Sequence, residues 1–142
     1  MNDIAILVRI QLGVIVTFIA NKVWIRPFVL ENDFAAPINT FVLSYPNFCE
    51  AAVGTILLSY MGLVLKHHGF PFLVESKNAT IYVIATLFAA IYVILQEFKI
   101  HNLGGRNIYD PYDVLFSVLG LIAAYLLLLF LKPRIVAENG TQ

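Results

Sequence analysis

The residues of this chain whose side chains could do chemistry gather where apolar stretches begin and end: Arg26, Glu50, Gln96, Glu97, Arg106, Asp110 and Asp113. A carboxylate in such a place can act as a general base, help to hold a divalent ion, or pair with a guanidinium. An arginine there offers a planar fork that fits a carboxylate or a phosphate. Glu97 and Asp113 are the acids that would serve as base or metal ligand in an enzyme, but no nucleophile stands beside a base. Histidine is missing from the set, because His67, His68 and His101 fall in loops with no carboxylate spaced to complete a metal site. Cys49 is the single cysteine, with neither a CxxC partner nor zinc spacing. The sequence therefore names no catalytic residue, no metal and no cofactor.

The elements that must position this set follow from composition. Of 142 residues, 60% are hydrophobic and 13% are Asp, Glu, Lys or Arg, about half the charged share of an ordinary soluble domain. A soluble globular reading fails on that ground. Nine basic residues balance nine acidic ones without a basic run, so nucleic acid is not a partner. Apolar stretches run over 4–20, 48–65, 79–95 and 114–131, each about 26–30 Å long as a helix and so able to span a bilayer. Arg9 lies inside the first stretch, and no A-x-A pattern follows it, which reads as a retained span rather than a secretory signal.

The expected fold is all-α: a four-span transmembrane bundle, with spans at 4–22, 47–65, 79–97 and 112–131, in one domain over 1–135 followed by a polar tail at 136–142. The segment 21–47 carries Trp24, Phe28, Phe34, Phe41 and Tyr45 among Pro27, Pro37 and Pro46. It reads as a long aromatic first loop on the membrane surface, with a short interfacial helix over 38–43.

Four spans place the chemistry-bearing residues on one membrane face. Glu50 opens the second span, Gln96 and Glu97 close the third, Asp113 opens the fourth, and Arg26, Arg106 and Asp110 sit in the adjoining loops. Acids at the edge of hydrocarbon need a cation, so Arg106 is expected to be held by Asp113, Glu97 or both. Asp113, Ser117, Gly120 and Ala124 recur at helical spacing and give the fourth span a small, polar face. Glu97 shares its face of the third span with Val93, Ala90 and Thr86, again small, so these two helices should pack with their acidic ends together. A plainer reading stands beside each. Asp110-Pro111-Tyr112-Asp113 is also an ordinary helix start, with a capping Asp, a first-turn Pro and an acid at the third position. Glu97 can be an interfacial acid in water, Glu50 can orient the first loop, Arg9 can snorkel to an interface, and Cys49 reads as a packed thiol.

Gln96-Glu97-Phe98, then Arg106, then Asp110-Pro111-Tyr112-Asp113-Val114-Leu115 and Gly120, resemble the VanZ-like family of small bacterial membrane proteins. Tyr45-Pro46-Asn47-Phe48 is similar to the Pro-Asn-Phe that enters the second helix in that family, whereas Phe116-Ser117 replaces its usual small-polar pair. The resemblance implies a multispan helical protein of the bacterial cytoplasmic (inner) membrane, part of the cell envelope. It does not supply a reaction.

Three functions remain open at this point. One is a non-enzymatic protein that binds a lipid-linked or glycopeptide envelope ligand at the polar cluster. Another is an intramembrane enzyme acting on a polyprenyl or phospholipid headgroup. The last is a structural or assembly subunit with a protein partner in the membrane. Binding ranks first, and membrane lipid is a partner in every case.

Orientation turns on Lys22, Arg26, Lys99 and Arg106 at one face against Lys66, Lys77, Lys132 and Arg134 at the other. With Arg26 and Arg106 neutralised by carboxylates, the remaining bias puts both termini in the cytoplasm. Single cysteines at Lys77 and Asn107, in a Cys49-free background, should react with an impermeant thiol reagent on intact cells at Asn107 only; labelling at Lys77 alone reverses the orientation.

Overall fold

A computed structural model of the chain describes residues 3–97 and 110–133. The chain starts with α1 (Asp3–Ala20), widens into a π-helical segment (Asn21–Ile25) and continues without a break into α2 (Arg26–Glu31). After the turn at 32–35 comes α3 (Ala36–His67), then the single turn α4 (Pro71–Val74), α5 (Asn78–Glu97) and α6 (Pro111–Leu131). Four helices, Ala5–Glu31, Ala36–His67, Asn78–Gln96 and Pro111–Leu131, are long and apolar enough to cross a membrane. No strand occurs among the described residues. The chain is an all-α, multi-pass membrane protein.

The long first loop is replaced by helix. Of 21–47, only the turn at 32–35 lies outside a helix, and 38–43 is the start of α3 rather than a separate interfacial element. The prolines explain the difference. Pro37 occupies the first turn of α3, where a missing N–H has no helical partner anyway. Pro27 lies inside the continuous helix, just past the π segment, whose wider turn ends with the Arg26 N–H donating to the Asn21 carbonyl. Pro46 lies within α3 and the helix runs through it, as helices in membranes do when their neighbours support the freed carbonyl. The 32 residues of α3 reach about 48 Å, well beyond the roughly 30 Å of hydrocarbon. The α2–α3 hairpin is fastened by side chains: Asn32 Nδ2 donates to the Phe28 carbonyl at 2.8 Å and Asn39 Nδ2 to the Phe34 carbonyl at 3.0 Å. Asp33 takes the left-handed turn conformation between them.

α3 is the axis. It packs against α6 most extensively, then α5, then α1. Lipid tails are as apolar as leucine, so close packing must hold the helices together, and small residues permit it. Ser117, Gly120 and Ala124 are buried on α6, as their spacing predicts, and Asp113 above them is half-buried. Gly120 rests on the backbone of α3, where a Cβ would run into the Phe48 carbonyl oxygen. On α5 the buried face is Ile81, Tyr82, Ala85, Ala89 and Val93, with Thr86 and Ala90 at its edge. Ala52, Ile56 and Leu63 of α3 meet Leu7, Ile81, Tyr82, Ala124 and Leu128 in one core; Ala51, Ala89, Val93 and Leu121 form a second. The outward faces carry Leu12, Val16 and Ile19 on α1, Leu87, Phe88 and Ile91 on α5, and Ile122, Leu126 and Phe130 on α6. Those faces suit lipid.

One end of the bundle is tied shut. Lys66 Nζ donates to the Ser76 carbonyl at 2.6 Å and to Asn78 Oδ1 at 2.9 Å, closing the α3–α5 connection. Tyr82 Oη donates to the Pro133 carbonyl at 3.4 Å, just past the left-handed Lys132 that ends α6.

Adding a methyl at Gly120 should therefore force α3 and α6 apart. Overpacking typically costs about 1–3 kcal/mol, so Gly120→Ala should lower the melting temperature in detergent. Gly13→Ala, where the added carbon meets nothing, should leave it unchanged or raise it through helix propensity. Equal melting of the two variants would contradict the seam.

Candidate functional site

At the opposite end, polar chemistry collects between α1 and α3. The π segment begins where the apolar part of α1 ends, and such local widenings are found frequently at functional sites. It packs against α3 and buries Asn21 to 2% exposure, leaving the Asn21 Oδ1 without a hydrogen-bond partner among the described residues. Ser44 Oγ, in the first half of α3, is likewise buried and unpartnered. Each such atom costs about 1–3 kcal/mol of desolvation.

Lys22 projects from the same segment. Its Nζ lies 3.8 Å from Glu50 Oε1 and 4.4 Å from the centre of the Phe18 ring, and the two charged side chains are 46% and 33% exposed. Phe48 and Ala51, on either side of Glu50, bear on Gly120, which is about 13 Å along α6 from Pro111 at 1.5 Å per residue. The Glu50 backbone thus sits well below this face of the bundle. Its carboxylate is met by a lysine from the π segment of the facing helix, as charges near hydrocarbon require.

Beneath the pair lies a crevice of about 160 Å³ lined by Ile15 and Phe18 of α1 and by Cys49, Glu50 and Val53 of α3. Its wall is almost wholly apolar. Beside it, Tyr45 Oη donates to Thr17 Oγ1 at 2.9 Å, and Thr17 Oγ1 donates to the Val14 carbonyl at 2.9 Å, joining α3 to α1. Cys49 is buried, next to these hydroxyls.

The residues singled out from the sequence are distributed around this site rather than concentrated in it. Glu50 turns toward α1 and Lys22. Arg26 is exposed at the start of α2, one turn beyond Lys22, with no ion-pair partner among the described residues. Asp110 caps α6, its Oδ1 accepting from the Tyr112 N–H at 2.9 Å, and Pro111 follows in the first turn. That is the plainer helix-start reading. Asp113 is half-buried in the same turn, and among the described residues no cation lies within ion-pair distance of it. Gln96 is exposed in the last turn of α5. The Glu97 side chain, Arg106, Lys99 and His101 lie outside the described residues, and with them the expected bridge from Arg106 to Glu97 and Asp113; so does the tail at 136–142. Among the described residues, no three His, Cys, Asp or Glu side chains converge as a metal site would need.

Sequence reasoning missed Thr17, Phe18, Lys22 and Tyr45. The signal was present: Phe18 with Lys22, and Tyr45 with Cys49, are pairs four residues apart and so share a helix face. Starting the second span at residue 47 removed Tyr45 from the face it shares with Cys49, and ending the first at residue 22 left Lys22 as a charge at the membrane face.

The arrangement combines an apolar slot with one cation and one anion at its mouth, suited to a molecule with a hydrocarbon chain and a polar head. No family model, no curated protein and no solved structure matches this chain.

Lys22 should matter more than Arg26. Loss of an exposed ion pair costs about 0–1 kcal/mol and of a buried one about 3–5 kcal/mol, and this half-buried pair belongs between. Lys22→Met should melt below Arg26→Met in the same detergent, and adding Glu50→Gln to Lys22→Met should recover part of the loss. If the second substitution recovers nothing, Glu50 does not depend on Lys22.

Proposed function

We propose that this chain is a multi-pass membrane protein that binds a lipid-linked ligand at the α1–α3 crevice, with the hydrocarbon chain against Ile15, Phe18 and Val53 and the head group at Lys22, Glu50 and Arg26. The observation that carries this reading is the coincidence of an apolar crevice with a half-exposed ion pair at its mouth, within a span. A water-soluble glycopeptide would have no use for the apolar slot.

The run from Gln96 to Gly120 supports placing the chain with the VanZ-like proteins of the bacterial cytoplasmic membrane, where a lipid-linked envelope precursor or a phospholipid is at hand. In this reading Asp110 and Asp113 start α6, and Gly120 seats it on α3, while α1 supplies the face that meets the ligand.

The test is lipid retention. Protein purified in a mild detergent should carry copurifying lipid in native mass spectra. Val53→Trp, which fills the crevice, should lose most of it, while Val83→Trp, on an exposed face of α5, should not. Equal retention by Val53→Trp, with melting showing it folded, would rule out the crevice as the site.

A further inference from the structure

Resting on that lipid-binding reading, we infer that the head group recognised at Lys22 and Glu50 is zwitterionic, with a phosphate and a primary amine joined by a short linker. The pair is open in a particular way. At 3.8 Å it is longer than the 2.7–2.9 Å of a charge-assisted hydrogen bond, so the ammonium keeps its donors and the carboxylate its acceptor sites. Neither group is hydrogen-bonded to another described side chain. Lys22 is also held over the Phe18 ring, which steadies the ammonium by cation–π attraction if the carboxylate turns to a ligand.

Three kinds of head group would meet this pair differently. A hydroxyl head leaves the ion pair intact and gains little from it. An anionic head takes Lys22, with Arg26, one turn away and without an ion-pair partner among the described residues, as a second cation, but strands Glu50 below the membrane face without a counter-ion, a costly state. A phosphate with an amine exchanges one long ion pair for two: phosphate on Lys22 and Arg26, ammonium on Glu50. Because the two charges lie 3.8 Å apart, a compact head can span them. A primary amine also donates N–H bonds to the carboxylate, which a quaternary amine cannot do.

The probes are phosphatidylethanolamine, phosphatidylcholine and phosphatidylglycerol with identical acyl chains, added in equal amounts to the delipidated full chain in detergent and read by native mass spectrometry. Wild type should hold the ethanolamine lipid at least about threefold over either competitor, a ratio well above the scatter of a competition experiment. Glu50→Gln, which removes the amine's partner and leaves both cations, should turn the preference to phosphatidylglycerol. Val53→Trp should lower all three lipids together.

If wild type holds phosphatidylglycerol or phosphatidylcholine as well as the ethanolamine lipid, the zwitterion assignment is overturned, and the wild-type order decides this even if Glu50→Gln does not purify folded. An unchanged order in folded Glu50→Gln overturns it as well. In either case a continued loss of lipid in Val53→Trp leaves the crevice reading standing, whereas full retention in Val53→Trp removes the crevice reading itself.

Discussion

The contact between Gly120 and the Phe48 carbonyl sets the geometry of everything else. Hydrocarbon offers helices little hydrophobic reason to associate, so two backbones must touch for dispersion to add up, and only glycine lets them do so here. Once α6 lies on α3 at this point, Ala124 and Leu128 fall into the core with Ala52 and Ile56. Phe116 meets Phe41 edge-on at 5.5 Å, and the two helices run parallel. α5 then closes the groove, with Ala89 and Val93 against Ala51 and Leu121.

That arrangement leaves α1 at the periphery. Of the most apolar 18-residue window in each span, 11% is buried in the first and 39% in the α3 span. The seam between α1 and α3 is held by Leu7 at one end, by the Tyr45–Thr17 hydrogen bond near the other, and by Lys22 and Glu50 at the mouth. Between them the helices do not close, and the crevice results. Tight packing on one side of α3 and loose packing on the other go together: the α6 side carries the small residues that hold the fold, and the α1 side carries the crevice and the ion pair.

How much of this was legible in the sequence depends on which physical rule governs each segment. The spans were legible, because length and apolarity are what a bilayer selects. The small face of α6 was legible for the same kind of reason: Ser117, Gly120 and Ala124 repeat at helical spacing, and nothing else in the chain competes with that signal. The segment 21–47 was misread because rules for prolines in water were applied to a membrane helix. In water, Pro46 would argue for a boundary; in lipid, an exposed break in the backbone costs more than a proline within a packed helix. The site was half legible. Glu50 was singled out, but its partner was not: Phe18 and Lys22 share a helix face by spacing, and the π segment that brings Lys22 to α3 leaves no mark of its own in the sequence.

The π segment also links the two halves of the site. A continuous α-helix from Asp3 would rotate every residue after Asn21 by about 100° relative to its present position, since one inserted residue is one step of helical rotation. Lys22 to Arg26 could not then keep both their register with α3 and the continuity of the helix into α2. Asn21 bears a cost: its side chain is buried with an oxygen unsatisfied among the described residues, while its carbonyl accepts the Arg26 N–H that closes the π turn. A buried, unsatisfied oxygen of this kind persists only where the packing around it offsets its desolvation. Here that packing is the π segment's contact with α3, and the residue next to Asn21 is the lysine that faces Glu50. A buried, unsatisfied side chain therefore stands directly beside the residue that sets a cation next to Glu50 at the crevice mouth.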